Sequence, residues 1–91
     1  MQIQHDLDTH RFTAEVDSGT AVLSYAPAGK EALDLFSTYV PPADRGRNIA
    51  AQLVEAALAY ARAQGFRVIP TCWYVDLWIQ RHPEHADLLA E

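Results

Sequence analysis

The chain changes its hydrophobic period once, at Asp44-Arg45-Gly46-Arg47-Asn48, and this switch restricts it to a strand-rich first half feeding one amphipathic helix. Beyond the switch, Ile49, Leu53, Val54, Ala57, Leu58 and Ala61 fall on a 3.6-residue period. They form one apolar stripe, with Gln52, Glu55 and Arg62 outside it. Gly65 is placed to stop the helix in a left-handed turn, and Arg62 puts a favourable charge near its carboxyl end. The pattern predicts a helix over residues 46–64.

Before the switch the period is two. Residues 11–17 alternate so that Phe12, Ala14 and Val16 share one face of a strand, and Asp17-Ser18-Gly19-Thr20 supplies turn chemistry. Residues 21–26 are apolar on nearly both faces and stop at Pro27-Ala28-Gly29-Lys30, which completes an antiparallel hairpin. A third strand over residues 32–40 ends at Pro41-Pro42, because proline cannot donate to a ladder and constrains its predecessor. Residues 1–7 read as a frayed end. After the helix, residues 66–72 read as a short strand parallel to the third, limited by Pro70. Val75, Leu77, Trp78 and Ile79 suit a second helix over residues 73–80, broken before Pro83, and a last helical turn carries Ala86, Leu88 and Leu89. The expected fold is α/β (α+β): a three-stranded antiparallel meander, a long central helix, a parallel fourth strand and a C-terminal helical segment.

A length of 91 residues leaves room for one domain, expected over 1–91, and excludes a second independent core. Seven Lys plus Arg against 12 Asp plus Glu give a net charge of -5, so the long-range field opposes nucleic acids and anionic membranes. Neither is expected as a partner, and any anionic ligand must be held locally. One cysteine cannot form an internal disulfide. The amino terminus lacks the basic, apolar and small-residue order of a signal peptide, and no apolar run approaches the ~20 residues that span a bilayer. A cytoplasmic location is the expectation.

A loop of small and basic residues opening a helix is a recurrent anion site, because the first helical N–H groups lack intrahelical partners and carry the positive end of the dipole. Gly46 permits close backbone approach, and Arg45 and Arg47 add guanidinium groups. An ordinary solvated helix start fits the spacing equally well. The dinucleotide fingerprint and the Walker lysine with its Ser/Thr are both missing.

The stretch Thr38-Tyr39-Val40-Pro41-Pro42-Ala43-Asp44-Arg45-Gly46-Arg47-Asn48-Ile49-Ala50, continued by Leu53-Val54 and Ala57, resembles the acetyl-coenzyme A motif of the GNAT N-acetyltransferase superfamily. That motif is written Gln/Arg-x-x-Gly-x-Gly/Ala; Arg45 and Ala50 match it, and Asn48 stands where glycine is usual. Asparagine enters the left-handed region more readily than most non-glycine residues. Downstream, residues 68–75, followed by Arg81-His82-Pro83 and Leu88, are similar to the short single-domain YjdJ-type branch. The resemblance implies a coenzyme A pyrophosphate on the amides of Arg45, Gly46, Arg47, Asn48, Ile49 and Ala50. It also implies a pantetheine arm beside Thr38, Tyr39 and Val40, in a sheet that splays between the third and fourth strands.

Cys72, read as the end of the fourth strand, would face that crevice as a thiol near the thioester, or pack as a small hydrophobe. In the family the matching cysteine is suspected as an acyl acceptor; Ser37 stands where relatives often carry a histidine base. Tyr74 would protonate the departing thiolate, as tyrosine does in many members of the superfamily, or serve as a rim residue. Tyr39 has the same two readings. His82 and His85 flank Pro83 and read as a solvated tail rather than a metal site, and no metal is expected. His5 and His10 have no evident partner, and Trp73 and Trp78 read as core and rim anchors.

Two functions follow from the resemblance. One is an acetyl-coenzyme A-dependent N-acetyltransferase, moving acetyl to an amine of a small molecule or a protein lysine, with the Val40 N–H polarising the thioester. The other is a coenzyme A binding or sensing module without efficient turnover, in keeping with the short turn from Tyr25 to Leu33 where larger members insert helices. A scaffold kept for protein interaction is a third possibility.

Overall fold

The structure, a computed structural model, describes residues 1–90; Glu91, the last residue of the expected 1–91 domain, lies outside the described residues. Five strands form one sheet in sequence order: β1 (Ile3–Asp6), β2 (Arg11–Val16), β3 (Gly19–Ala28), β4 (Ala32–Tyr39) and β5 (Arg67–Ile69). The first four are antiparallel neighbours, and β5 runs parallel to β4. Helix α1 (Ile49–Gln64) makes the crossover between β4 and β5, and α2 (Trp73–Arg81) follows β5. Short 3-10 turns cover Pro42–Asp44 and Pro83–Leu88.

The meander thus has four strands, not three. Residues 3–6, expected to fray, pair with β2 in the register Ile3↔Ala14 and His5↔Phe12. The reason is aromatic packing: His5 stacks on Phe12 at 4.0 Å and meets the edge of Tyr60 at 4.4 Å, contacts that bring together residues far apart in sequence.

One face of the sheet is buried. Phe12, Ala14, Ala21, Leu23, Tyr25, Leu33, Leu35 and Val68 pack against the α1 stripe, and Val75, Trp78, Ile79 and Leu88 complete the core. All six residues of the predicted stripe are in it. On the other face, Thr13, Thr20, Val22, Ser24 and Ala26 are only partly covered, and no helix lies over them. The helix starts at Ile49 rather than at Gly46, because Gly46 (φ 88°) and Asn48 (φ 65°) are both left-handed and hold the intervening chain as a loop. Gly65 ends it at φ 77°, as the sequence predicts.

Two features of β4 prepare the site. Its pairing with β3 steps from Ser24↔Ser37 to Tyr25↔Leu35, which leaves Phe36 without a partner, a bulge in β4. Its pairing with β5 covers only Ala32↔Arg67, Leu33↔Val68 and Asp34↔Ile69. Beyond that Pro70 intervenes, Thr71 N–H turns back to Ile69 O, and one last bond from Cys72 N–H to Leu35 O (2.9 Å) precedes the parting of the two segments. The outer edge of β5 is covered by the C-terminal segment, where Leu89 bridges Val68 and Ala90 N–H donates to Val68 O at 2.9 Å. Among the described residues no helix is long and apolar enough to cross a membrane.

Candidate functional site

The parted strands open into a cleft of about 700 Å³ bounded by Thr38 and Val40 on one side, Cys72, Trp73 and Tyr74 on the other, and Asp44, Arg45, Gly46, Asn48, Ile49 and Ala50 at the end. At that end Gln52 N–H is the first to close back, onto Asn48 O at 3.3 Å, so the N–H groups of Ile49, Ala50 and Ala51 lack intrahelical partners. Asn48 makes no side-chain cap over them. A Cβ built on Gly46 would meet nothing within 4 Å, so the loop is open on that side. Unpaired amides, a helix dipole and open space suit a phosphate-bearing ligand.

Of the residues named from the sequence, Thr38, Val40, Arg45, Gly46, Asn48, Ile49, Ala50, Cys72 and Tyr74 line this cleft. Tyr39 and Arg47 do not. Tyr39 pairs with Val22 and points its half-exposed ring to the uncovered face, since adjacent strand residues face opposite ways. Arg47 is turned toward carboxylates, with Nη1 3.4 Å from Asp17 and 3.5 Å from Asp44. Arg45 folds back so that its Nε donates to Val40 O at 3.0 Å, bracing the strand end against the loop.

Cys72 does not end a strand. Pro70 stops the ladder at Ile69, and Cys72 stands at the N-cap position of α2 in extended conformation. Its Sγ lies 3.6 Å from Thr38 Oγ1, across the cleft. Burial holds the Tyr74 phenol above its usual ionisation range, so it is protonated at neutral pH. Of the two tryptophans of α2, Trp73 is 75% exposed at the rim and Trp78 is buried in the core.

The residue that sequence reasoning missed is Asp44. It is buried at 2% exposure, accepts hydrogen bonds from the Ser18 N–H at 3.0 Å and from the Ser18 hydroxyl, and faces Arg47. The Ser18 hydroxyl above all, with the Ser18 amide and Arg47, holds its carboxyl below the usual aspartate range. This carboxylate ties the β2–β3 turn to the loop before α1, alongside the exposed Arg47–Asp17 contact. No local signal could have found a partnership across 26 residues.

His82 and His85 are not a solvated tail. His82 stacks on Trp78 at 3.8 Å and its Nδ1 lies 2.7 Å from Trp78 O, while His85 packs against the same indole at 5.4 Å. Among the described residues no group of His, Cys, Asp or Glu is arranged to hold a metal ion.

Residues 11–88 match the GCN5-related N-acetyl-transferase family. The chain belongs to that family. It is 36% identical over 85 residues to Protein NATD1 of Gallus gallus, an alignment covering 91% of this chain and 77% of that protein. Protein NATD1 of Homo sapiens is 35% identical over 85 residues, covering 91% of this chain and 75% of the relative. The solution structure of a GCN5-like protein from Staphylococcus aureus superposes with a TM-score of 0.74 at 15% identity, covering 98% of this chain and 87% of that one. The last likeness shows the fold. Members of the family are N-acetyltransferases that generally use acetyl-coenzyme A and act on amines.

Proposed function

We propose that this protein transfers an acetyl group from acetyl-coenzyme A to an amine by direct attack, with the coenzyme held in the β4–α2 cleft. The supporting observation is that the unpaired amides opening α1, the free edge of β4 beyond Leu35, and the pair Cys72 and Tyr74 all border one cavity. In this reading the N–H groups of Ile49, Ala50 and Ala51, with the Gly46 loop, hold the pyrophosphate, and β4 from Thr38 to Val40 guides the pantetheine arm. The coenzyme supplies an acyl group activated as a thioester. The Val40 N–H orients the thioester carbonyl and favours the oxyanion that develops there. As the carbon–nitrogen bond forms and the carbon–sulfur bond breaks, the Tyr74 phenol gives its proton to the leaving thiolate. Cys72 is placed beside the reacting carbon without being the nucleophile, because its hydrogen-bond partner is the Thr38 hydroxyl and not a base.

Calorimetry with coenzyme A and acetyl-coenzyme A tests the first half of this reading, and free-thiol release on addition of amines tests the second. Binding without amine-dependent release would favour the sensing module, a reading supported by the uncovered sheet face beside the cleft.

A further inference from the structure

Asn48 departs from two folding preferences at once. It opens α1 in the left-handed region at φ 65°, which a non-glycine residue enters at a cost, and it holds the N-cap position without placing its side chain over the helix amides. Glycine would take this backbone freely, and an extended asparagine would cap the helix. The side chains of the neighbouring polar residues are engaged within the protein: Asp44 accepts from Ser18, Arg45 donates to Val40 O, and Arg47 donates to Asp17. The Asn48 carboxamide makes no such bond among the described residues, and Asn48 is exposed.

Its position gives the carboxamide a use. Asn48 borders two cavities, the cleft that reaches Cys72 and a groove of about 340 Å³ between α1 and α2 lined by Ala51, Leu77 and Arg81. The two cavities share only Asn48 and Tyr74. Asn48 therefore stands at a corner that a ligand seated on the Ile49, Ala50 and Ala51 amides must touch if it extends both ways. A carboxamide supplies two N–H donors there without adding charge, and the adjacent cation, Arg47, is held by Asp17 and Asp44. The left-handed backbone and the missing cap then share one consequence. An extended N-cap asparagine would occupy the N–H two or three residues on, whereas this one leaves those amides free.

We propose that Asn48 is a further binding residue, whose carboxamide N–H donates to an oxygen of the coenzyme A pyrophosphate held over the first amides of α1. This rests on the coenzyme A reading and adds a side chain to a contact which that reading assigns to backbone alone. The glycine usual at this place in the motif has no side chain to offer, so the bond is an addition to the motif.

The test is calorimetry of the full chain with coenzyme A, beside thermal melts of the ligand-free proteins. Asn48→Gly deletes the donor and keeps the left-handed turn. It is expected to weaken binding about tenfold, the scale of a hydrogen bond to a charged group, while the melting temperature stays equal or rises. Asn48→Asp keeps the shape and the tolerance of a left-handed backbone but replaces the donor by a carboxylate, and is expected to bind more weakly still. Gln64→Glu puts the same added charge at the far end of α1 and should leave affinity unchanged. Affinity in Asn48→Gly that matches or exceeds the native value, binding by Asn48→Asp no weaker than by Asn48→Gly, or an equal loss in Gln64→Glu would overturn the assignment. A melting temperature that falls in Asn48→Gly together with affinity would overturn it too, and assign the residue to the fold. Absence of coenzyme A binding by the native chain overturns the coenzyme reading itself, whereas native binding that Asn48→Gly leaves intact removes the side-chain contact alone.

Discussion

Cys72 and Thr38 face each other across the parted strands, Sγ 3.6 Å from Oγ1, one at the start of α2 and the other near the end of β4. The thiol is thereby fixed next to a hydroxyl, which has no capacity to take its proton at neutral pH. Ser37, the adjacent residue, pairs with Ser24 and is exposed, so it offers no base either.

Cys72→Ser should consequently retain most amine-dependent thiol release, and mass spectrometry should find no acetyl group on Cys72 during turnover. Tyr74→Phe should lower kcat by about 100-fold, the usual scale for loss of a general acid, with coenzyme A affinity nearly unchanged. The reverse pattern, with the cysteine essential and the tyrosine dispensable, would replace direct attack by a covalent relay.

Gly46 sits at φ 88° on the open side of the loop, with room around it for a side chain in the free protein. Gly46→Val adds left-handed strain and fills space that the pyrophosphate would use. Coenzyme A binding should weaken at least about tenfold, equivalent to ~1.4 kcal/mol, by calorimetry. Undiminished affinity would remove this loop from the coenzyme site.

At the opposite end of the sheet His5 shares a 2.6 Å hydrogen bond with the Tyr25 hydroxyl and stacks on Phe12. Burial is the main cause that lowers its pKa, with His10 adding to the effect and Asp6 opposing it. Because the folded state resists protonation, stability is full above the ordinary histidine value of about 6.5 and declines as pH falls through the lowered value. Thermal melts of the native chain should show that decline, and His5→Gln should flatten it. An identical pH profile in the variant would place the titrating group elsewhere.

The periodicities made the α1 stripe, β2 to β5 and the Gly65 stop legible, because each is a local pattern repeated over several residues. The β1 strand was hidden, since Ile3 and His5 gain their partners from β2 and from Tyr60 on α1 rather than from near neighbours. Asn48 was legible as a left-handed residue from its chemistry, but the Asp44–Ser18 tie depends on which strands lie side by side. The place of Cys72 was misread by three residues because the strand ends before Pro70, where the chain turns toward α2.

Asp44 gives the most direct way to ask whether the loop conformation matters to the ligand. Its carboxylate occupies the Ser18 N–H and hydroxyl and draws Arg47 toward the β2–β3 turn, all beneath the stretch that precedes the α1 amides. Asp44→Ala removes the acceptor, leaves those donors unmatched and frees the loop, so coenzyme A affinity should fall although no proposed phosphate contact has been deleted. Ser18→Ala, distant from the cleft lining, should weaken binding in the same direction but less, because the Ser18 amide still reaches the carboxylate. The native tie should also be acid-sensitive. The pKa of Asp44 is depressed, so its contribution to stability is complete above the ordinary aspartate value of about 3.9 and is lost as pH falls through the depressed value. Amide exchange at residues 45–50, followed as pH is lowered, should rise at that point in the native chain and be raised already at neutral pH in Asp44→Ala. Equal protection in the two proteins would show that the loop holds its shape without the carboxylate.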